Sequence, residues 1–424
     1  MTRPIAVLTA TMLTLAPAAC ASDNRDRGDA DLEVTRDTVG DTLVVRTLSG
    51  SAWGSDAHLA PEMSFGELDG ALEYLLGDVV SLGVGPDGTI YIVDGQVTEL
   101  RAYDAGGTYL RTMAGPGGGP GELAEPGGGL AVLTDGRVVV RDPGNNRLQV
   151  FSADGAQDWA WPVVRGGFIS SSPLWWDKED NVYVFVILNM DDDFNDWKTG
   201  LARIRPDGTP ADTIRDPETG FETPTVEARA ENSAAMNRVP FAAAEEWAFH
   251  PGGYHVHGIS TDYAITLLKE DAPLRIERVY EPVPVASGER SSRERRIERN
   301  MRRLDPGWRW NGPGIPDTKP PFSDLFVARD GRIWVQVPQA GIEEDDPDHD
   351  PQEDGSEPTR WREPVVFDVF GEDGTFYGRV RTPDGFGTRP TPVIDGDRVW
   401  AVTQDELGVQ RVVRFRVELD AAGS

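Results

Sequence analysis

The sequence predicts an all-β fold: a single six-bladed propeller of four-stranded antiparallel blades, closed by an N-terminal strand in the last blade and carrying one helical insertion. Three observations predict it. A unit of 48 residues occurs twice between Val79 and Trp161, with Asp87-Gly88 falling on Asp135-Gly136, Asp94 on Asp142, Leu100 on Leu148 and Tyr103 on Phe151. Self-similarity at such a period marks stacked supersecondary units. The 47 Gly and 32 Pro of the 424 residues sit between short β-branched or aromatic runs, so tight turns are frequent and long helices few. The chain also begins with an isolated strand and ends with a three-stranded unit, which invites their union.

Each repeat reads as an apolar run, an Asp-Gly turn, an alternating strand (Ile90 to Val93; Val138 to Val140), a polar break, another strand, a second glycine turn and a last strand. That is a propeller blade. Further blades are expected at Leu174 to Arg215, Trp247 to Glu281, Phe326 to Thr382 and Thr391 to Val417, the last with three strands of its own. Thr42 to Gly50 (TLVVRTLSG) has strand character, and its tail echoes Leu110 to Gly115. The expected closure sets Thr42 to Gly50 beside Val409 to Val417, covering an edge open to aggregation.

The expected boundaries are a signal segment over 1–20, a flexible tether over 21–41, the propeller over 42–418 and a tail over 419–424. Residues 1–20 carry one positive charge at Arg3, an apolar stretch from Ile5 to Leu15, small residues and then Cys20, the single cysteine of the chain. This segment resembles the bacterial lipoprotein signal, in which the cysteine is diacylated and becomes the mature N-terminus, although Pro17 stands where that family usually has Leu. Ordinary signal cleavage near Ala19 or Ala21 is the alternative. A lone cysteine forms no disulfide within the chain, which suits an anchor. The resemblance implies a cell-envelope protein, periplasmic or on the outer surface, touching a membrane through its lipid alone. The stretch Ala21 to Asp41 is polar and free of aromatics, too poor in apolar surface to fold by itself.

A formal net charge of -30 argues against nucleic acid, whose binding runs on Lys and Arg displacing phosphate counterions. In an up-and-down meander, successive turns alternate ends. The first-to-second and third-to-fourth strand turns are uniformly short: GPDG, TDG, KEDN, ARDG, and DAGG, SADG, RPDG, GEDG. The long segments all fall on the opposite face: Ser51 to Asp78, Gly115 to Glu125, Asn189 to Lys198, Pro217 to Glu246, Ser287 to Phe322 and Ala340 to Arg360. Elaborated loops on a rigid scaffold are where binding resides.

The Asp94 or Asp142 positions with the following strand NNRLQVF, the Asp-Gly turn and GPGGGPGEL (Gly115 to Leu123) resemble NHL-repeat propellers. The chain from Asp41 to Glu418 is similar to six-bladed bacterial envelope propellers. That resemblance implies the fold; propellers of this architecture include binding modules, lactonases and lyases, so it leaves the chemistry open.

Candidate site residues follow from type and place. Asp94, Asp142 and Arg147 stand at strand ends on the elaborated rim. Trp175, Trp176 and Trp247 lie on or near innermost strands, and Trp310 follows the helix; an aromatic lining suits sugars or peptides. Tyr91, Tyr183, Trp334 and Trp400 share one strand position and are expected as a buried layer between blades. His255 and His257, two apart on a strand, face one side and could hold zinc or copper, with an acidic ligand from elsewhere. Asp191 to Asp193 and the run Glu343 to Glu357 offer oxygen ligands for calcium, but neither has the glycine-punctuated calcium-loop pattern. No cofactor is predicted. Ser287 to Leu304, with seven arginines against three glutamates, reads as the one basic helix. It either pairs with the Glu343 to Glu357 loop as a cover over the channel mouth or stands solvated with i,i+4 ion pairs.

The function expected is a monomeric, envelope-anchored binding or interaction module without catalysis, engaging a protein, peptide or glycan on the loop-rich face. The alternative is a channel-centred metal-assisted hydrolase or lyase. Matching metal motifs, a G-x-S-x-G elbow and a phosphate-cradling loop are missing from the sequence. Converging oxygen or imidazole ligands at the channel mouth would favour the enzyme, and an apolar plug the binder.

Overall fold

The computed structural model describes residues 32–421 apart from 157, 163–171, 191–196, 232, 347–348, 350–351 and 353–356. The signal segment, Cys20, tether residues 21–31, Asp191 to Asp193 and tail residues 422–424 therefore lie outside the described residues.

The repeat fixes the first two sheets. In the first, Val79–Val84, Ile90–Asp94, Glu99–Tyr103 and Tyr109–Pro116 pair antiparallel in chain order, extended by the short Glu122–Leu123. The second repeats this with Leu130–Val132, Val138–Asp142, Arg147–Phe151 and Asp158–Trp161. Both marker glycines adopt the left-handed conformation that an L side chain resists, Gly88 at φ +86° and Gly136 at φ +85°. The third sheet joins Trp175–Trp176, Val182–Ile187, Thr199–Ile204 and Pro210–Arg215. The fourth joins Glu245–His250, Tyr254–Ile259, Ala264–Leu267 and Leu274–Arg278. Asp324–Val327, Ile333–Gln336, Val366–Phe370 and Phe376–Arg381 form the fifth, and Val393–Asp395, Arg398–Gln404 and Gln410–Leu419 begin the sixth.

The sixth sheet is completed from the N-terminal region, but by a different strand from the one expected. Ala57–Phe65 runs antiparallel along Gln410–Leu419 from Ala57↔Leu419 to Phe65↔Val412. Thr42–Ser49 instead runs parallel to Leu274–Arg278 and widens the fourth sheet, with Glu33–Val39 folded back on it as a hairpin. Two readings are corrected together. Residues 33–39 are strand and not tether, and Ser51 to Asp78 is not one long loop. Ala57–Phe65 (AHLAPEMSF) escapes a pattern search because Pro61 and the polar Glu62 interrupt its alternation, with a register shift between Pro61 and Met63. Ala57 and His58 also pair parallel with Val380 and Arg381, which joins the fifth and sixth sheets; past them only one edge is paired, and a proline is tolerated there.

Apolar clusters link the sheets in a cycle, giving a β-propeller-like arrangement. Tyr91, Leu100 and Val93 meet Leu130 and Phe151 between the first and second sheets. Val139 and Trp161 meet Val182 and Ile204 between the second and third. Tyr183 and Leu201 meet Phe249, and Val256 and Ile276 meet Val335 and Phe370. Trp334 and Phe367 meet Val399 and Phe415, and Trp400 and Val412 return to Ile90 and Tyr103 of the first sheet. The expected aromatic layer is present: Tyr91, Tyr183, Trp334 and Trp400 are all buried in these junctions.

The elaborated face carries a second apolar assembly. The hairpin Thr225–Ala230/Ser233–Arg238 and the helix α1 (Ser287–Leu304) share a core of Val226, Ala228, Ile297, Met301 and Trp308. Each fully buried aliphatic side chain there contributes roughly 2 kcal/mol. The basic helix is fastened at its start by the buried Lys319, whose Nζ reaches the equally buried Glu289 at 2.8 Å and the partly exposed Glu363 at 2.7 Å. The acidic insert is also more ordered at its ends than its composition suggests: Ile342–Asp345 pairs with Thr359–Arg362, and Glu344 bridges Arg360 and Arg362.

Candidate ligand-binding channel

Each sheet presents its first strand to the middle of the molecule, and there a cavity of about 460 Å³ is lined by residues of all of these strands or the segments next to them, from Ser81 and Leu130 to Leu325 and Val393. Its size falls in the range of small-ligand sites, roughly 300 to 1,000 Å³. Trp175, Trp176 and Trp247 line it, as aromatic residues on innermost strands would. Trp175 and Trp247 lie with ring centroids 5.1 Å apart, across the junction of the third and fourth sheets.

The two ends of the cavity differ chemically. On the elaborated face, Asp324 and Arg389 line the cavity, and Glu246, near the start of its strand, stands next to them. Burial, with Asp324 adding to it, pushes the Glu246 carboxyl up to about 7, while Arg238 and Arg389 pull the other way. Burial likewise raises Asp324, whose Oδ1 accepts the Leu325 amide hydrogen at 2.9 Å. Glu246 thus holds a proton toward neutral pH, which lets a carboxyl donate as well as accept. On the short-turn face stand Arg329 and Lys178. Arg329 donates from Nη2 to the Val84 carbonyl at 2.6 Å, and its guanidinium carbon lies 5.4 Å from the centre of the Trp176 ring. Its Nε is buried without a hydrogen-bond partner among the described residues. Burial disfavours its charged form, with Asp395 opposing this.

The other expected site residues lie elsewhere. Asp94 and Asp142 are completely buried and act as staples. Asp94 accepts the amide hydrogens of Gly77, Asp78 and Gln96 at 3.0–3.2 Å, and Asp142 those of Ala124 and Glu125 at 2.9 and 3.2 Å. Arg147 donates to the carbonyls of Gly119 and Glu122, both at 2.7 Å. These three therefore fix the links on the elaborated face and offer little to a ligand. Trp310 belongs to the assembly around α1, its ring 6.2 Å from that of Trp308 and its Nε1 bonded to the Pro313 carbonyl.

His255 and His257 do not converge on one point. His255 Nε2 lies 3.1 Å from Asp216, and His257 Nε2 lies 2.7 Å from Glu245, so each has its own carboxylate. Among the described residues no group of three or more His, Cys, Asp or Glu side chains is placed to hold a metal ion. The calcium candidate at Asp191 to Asp193 lies outside the described residues, and Glu343, Glu344 and Glu357 are engaged by Thr359, by Arg360 and Arg362, and by Arg295.

Sequence reasoning overlooked Glu246, Asp324, Arg329 and Lys178. Arg329 and Lys178 stand in the ARDG and KEDN turns, which were legible only as turns, and Glu246 and Asp324 open two strands whose closeness is a tertiary fact.

No protein-family model matches the chain, nor does any curated protein sequence. Among solved structures it is similar to a protein described as exported from Bacteroides fragilis, at 9% identity over 89% of this chain and 100% of that one, with a TM-score of 0.44. A member of the DUF4221 family from Bacteroides vulgatus gives 8% identity over 86% and 99%, TM-score 0.43. Virginiamycin B lyase from Staphylococcus aureus gives 8% identity over 80% and 95%, TM-score 0.37, and nothing about the chemistry of this chain rests on these likenesses.

Proposed function

We propose that this chain is an exported six-bladed β-propeller, anchored by a lipid on Cys20 to the cell envelope, that works as a monomeric binding module. Its ligand enters the central channel from the loop-rich face. The observation that carries the reading is the cavity lined from every sheet, with three tryptophans in its wall and charged groups at both ends. A 460 Å³ space takes a small molecule or one extended end of a peptide, protein or glycan, and not a folded surface. Rigid strands around a fixed opening pre-organise such a site.

The test is thermal unfolding of the purified protein against a panel of small molecules, peptides and oligosaccharides, alongside Val327→Trp, which fills the channel from a partly exposed position. Ligands of the channel raise the melting temperature of the native protein by about 2 °C or more and leave the variant unmoved. Ligands that stabilise both equally would place binding outside the channel.

The second reading is catalytic. It is favoured by Glu246 and Asp324, two carboxyls at one mouth, one of them titrating near 7, as proton transfer in a lyase or hydrolase requires. Turnover of a channel ligand, lost in both Glu246→Gln and Asp324→Asn with binding retained, would establish it.

A further inference from the structure

We propose that the channel selects an organic anion with an apolar or aromatic body, its anionic group held by Arg329 and Lys178 and its body lying against Trp175, Trp176 and Trp247. The inference rests on the channel being the binding site, and it assigns the ligand's chemical class.

The argument starts from charge. In a chain with 71 acidic against 41 basic residues, a cation that lacks a carboxylate partner is unusual. Arg329 is one: it is half-buried with its Nε fully enclosed, burial works against its charge, and the nearby carboxylate of Asp395 favours that charge without forming an ion pair among the described residues. A guanidinium has five N–H donors. Apart from the bond to the Val84 carbonyl, none of those of Arg329 has a hydrogen-bond acceptor among the described residues, Nε included. A partly buried guanidinium with most of its donors unused gains from a group that completes them. Carboxylate, sulfonate and phosphate groups do so with two parallel hydrogen bonds, the geometry for which arginine is suited and lysine is not. Lys178 lines the same end, exposed and without a side-chain partner among the described residues, and adds a second positive charge.

The remaining wall is apolar or aromatic. Trp176 already stacks under the Arg329 guanidinium, so a planar body continuing from the anionic group would meet Trp176 and then the Trp175/Trp247 pair. From Arg329 to Asp324 the chain advances five residues in largely extended form, about 15 Å. An aromatic acid of two fused rings fits that span. At the far mouth, burial raises both Glu246 and Asp324, and Arg389 stands beside them, so repulsion of an anion is weaker there than two free carboxylates would give.

Isothermal titration of the purified protein with 2-naphthoate, its neutral isostere 2-naphthamide and 2-naphthylmethylammonium tests the assignment. The acid is expected to bind at least tenfold more tightly than the amide, and the ammonium more weakly than either. Arg329→Met abolishes the preference, Arg329→Lys keeps a part of it, and Lys178→Met, at an exposed position, reduces it several-fold. Equal affinity for acid and amide overturns the assignment, and so does a preference that survives Arg329→Met with unchanged circular dichroism. Should Arg329→Met fail to fold, an undiminished preference in Lys178→Met together with insensitivity to added salt overturns it. If amide and ammonium bind in the channel as well as the acid does, the anion assignment fails while the channel reading stands. If none of the three binds, the anion assignment falls, and the Val327→Trp comparison still judges the channel.

Discussion

Arg295 of the basic helix and Glu357 of the acidic insert form a two-pronged ion pair, Nε to Oε1 at 3.0 Å and Nη2 to Oε2 at 2.8 Å. Arg299 stands 4.0 Å from the same carboxylate. The pair holds the insert against α1 on the loop-rich face. Arg295 is 56% exposed, so solvent screens the interaction and its share of global stability is well under 1 kcal/mol. Glu357→Gln should therefore leave the unfolding midpoint almost unchanged while amide hydrogen exchange in Ser287–Leu304 speeds up. Unchanged exchange would show that the helix is held by its apolar face and the Lys319–Glu289 pair without help from the insert.

The opposite regime holds at Lys319, which is fully buried with Glu289 and also donates to the Gln339 carbonyl. Removing one partner of a buried pair strands the other charge. Lys319→Met is expected to cost about 3–5 kcal/mol in urea unfolding, and Lys319→Met combined with Glu289→Met to recover a large part of that. Equal losses in the single and double variants would assign the role to packing over Phe241, 4.8 Å from Nζ, and not to charge.

Glu246 makes stability depend on pH in a defined direction. Its carboxyl stands at about 7 in the fold against an ordinary 4.5, so between these values the native state binds more protons than the unfolded chain. Stability from this group is complete below 4.5, falls as pH rises toward 7 and levels off above it. The groups facing it are Asp324, Arg238, Arg389 and Glu245. Glu246→Gln should flatten that window and gain on the order of 1–3 kcal/mol over the native protein at pH 8. Parallel pH profiles for the two proteins would remove Glu246 as the titrating group.

Closure can be dissected by truncation. A chain beginning after Gly50 loses the hairpin added to the fourth sheet, in which Val45 and Thr47 are deeply buried, and should still unfold cooperatively at a lower midpoint. A chain beginning after Phe65 loses Ala57, Leu59 and Phe65 from two apolar junctions and opens the edge of the last sheet; it should not fold cooperatively. If the first truncation were the more damaging, the strand at 42–49 would be the true clasp.

The repeats were legible because each Asp-Gly turn imposes a backbone conformation that other residues resist, so spacing alone located Ile90–Asp94 and Val138–Asp142. Trp175, Trp176 and Trp247 were legible for a related reason, since large aromatics on innermost strands have only the centre or the junctions to occupy. The clasp was not: past Ala57 and His58 it has one paired edge and needs little alternation, and Pro61 with Glu62 hid it. Asp94 and Asp142 were located correctly, but whether such a carboxylate meets a ligand or three amide hydrogens depends on how the neighbouring link folds back. Glu246, Asp324 and Arg329 acquire their properties only from desolvation inside the assembled channel, and no local pattern records that.

The strand Ala57–Phe65 has a bearing on the order of events during synthesis. Glu62 finds its ion-pair partner Arg414 only 352 positions later. A ribosome or a translocation pore releases residues 57–65 long before residues 410–419, so the earlier strand waits, half-hydrogen-bonded, for the later one. Contacts of such sequence separation slow folding, and the waiting edge is open to pairing with other chains. A chaperone that shields residues 57–65 until residues 410–419 emerge would raise the yield of folded protein.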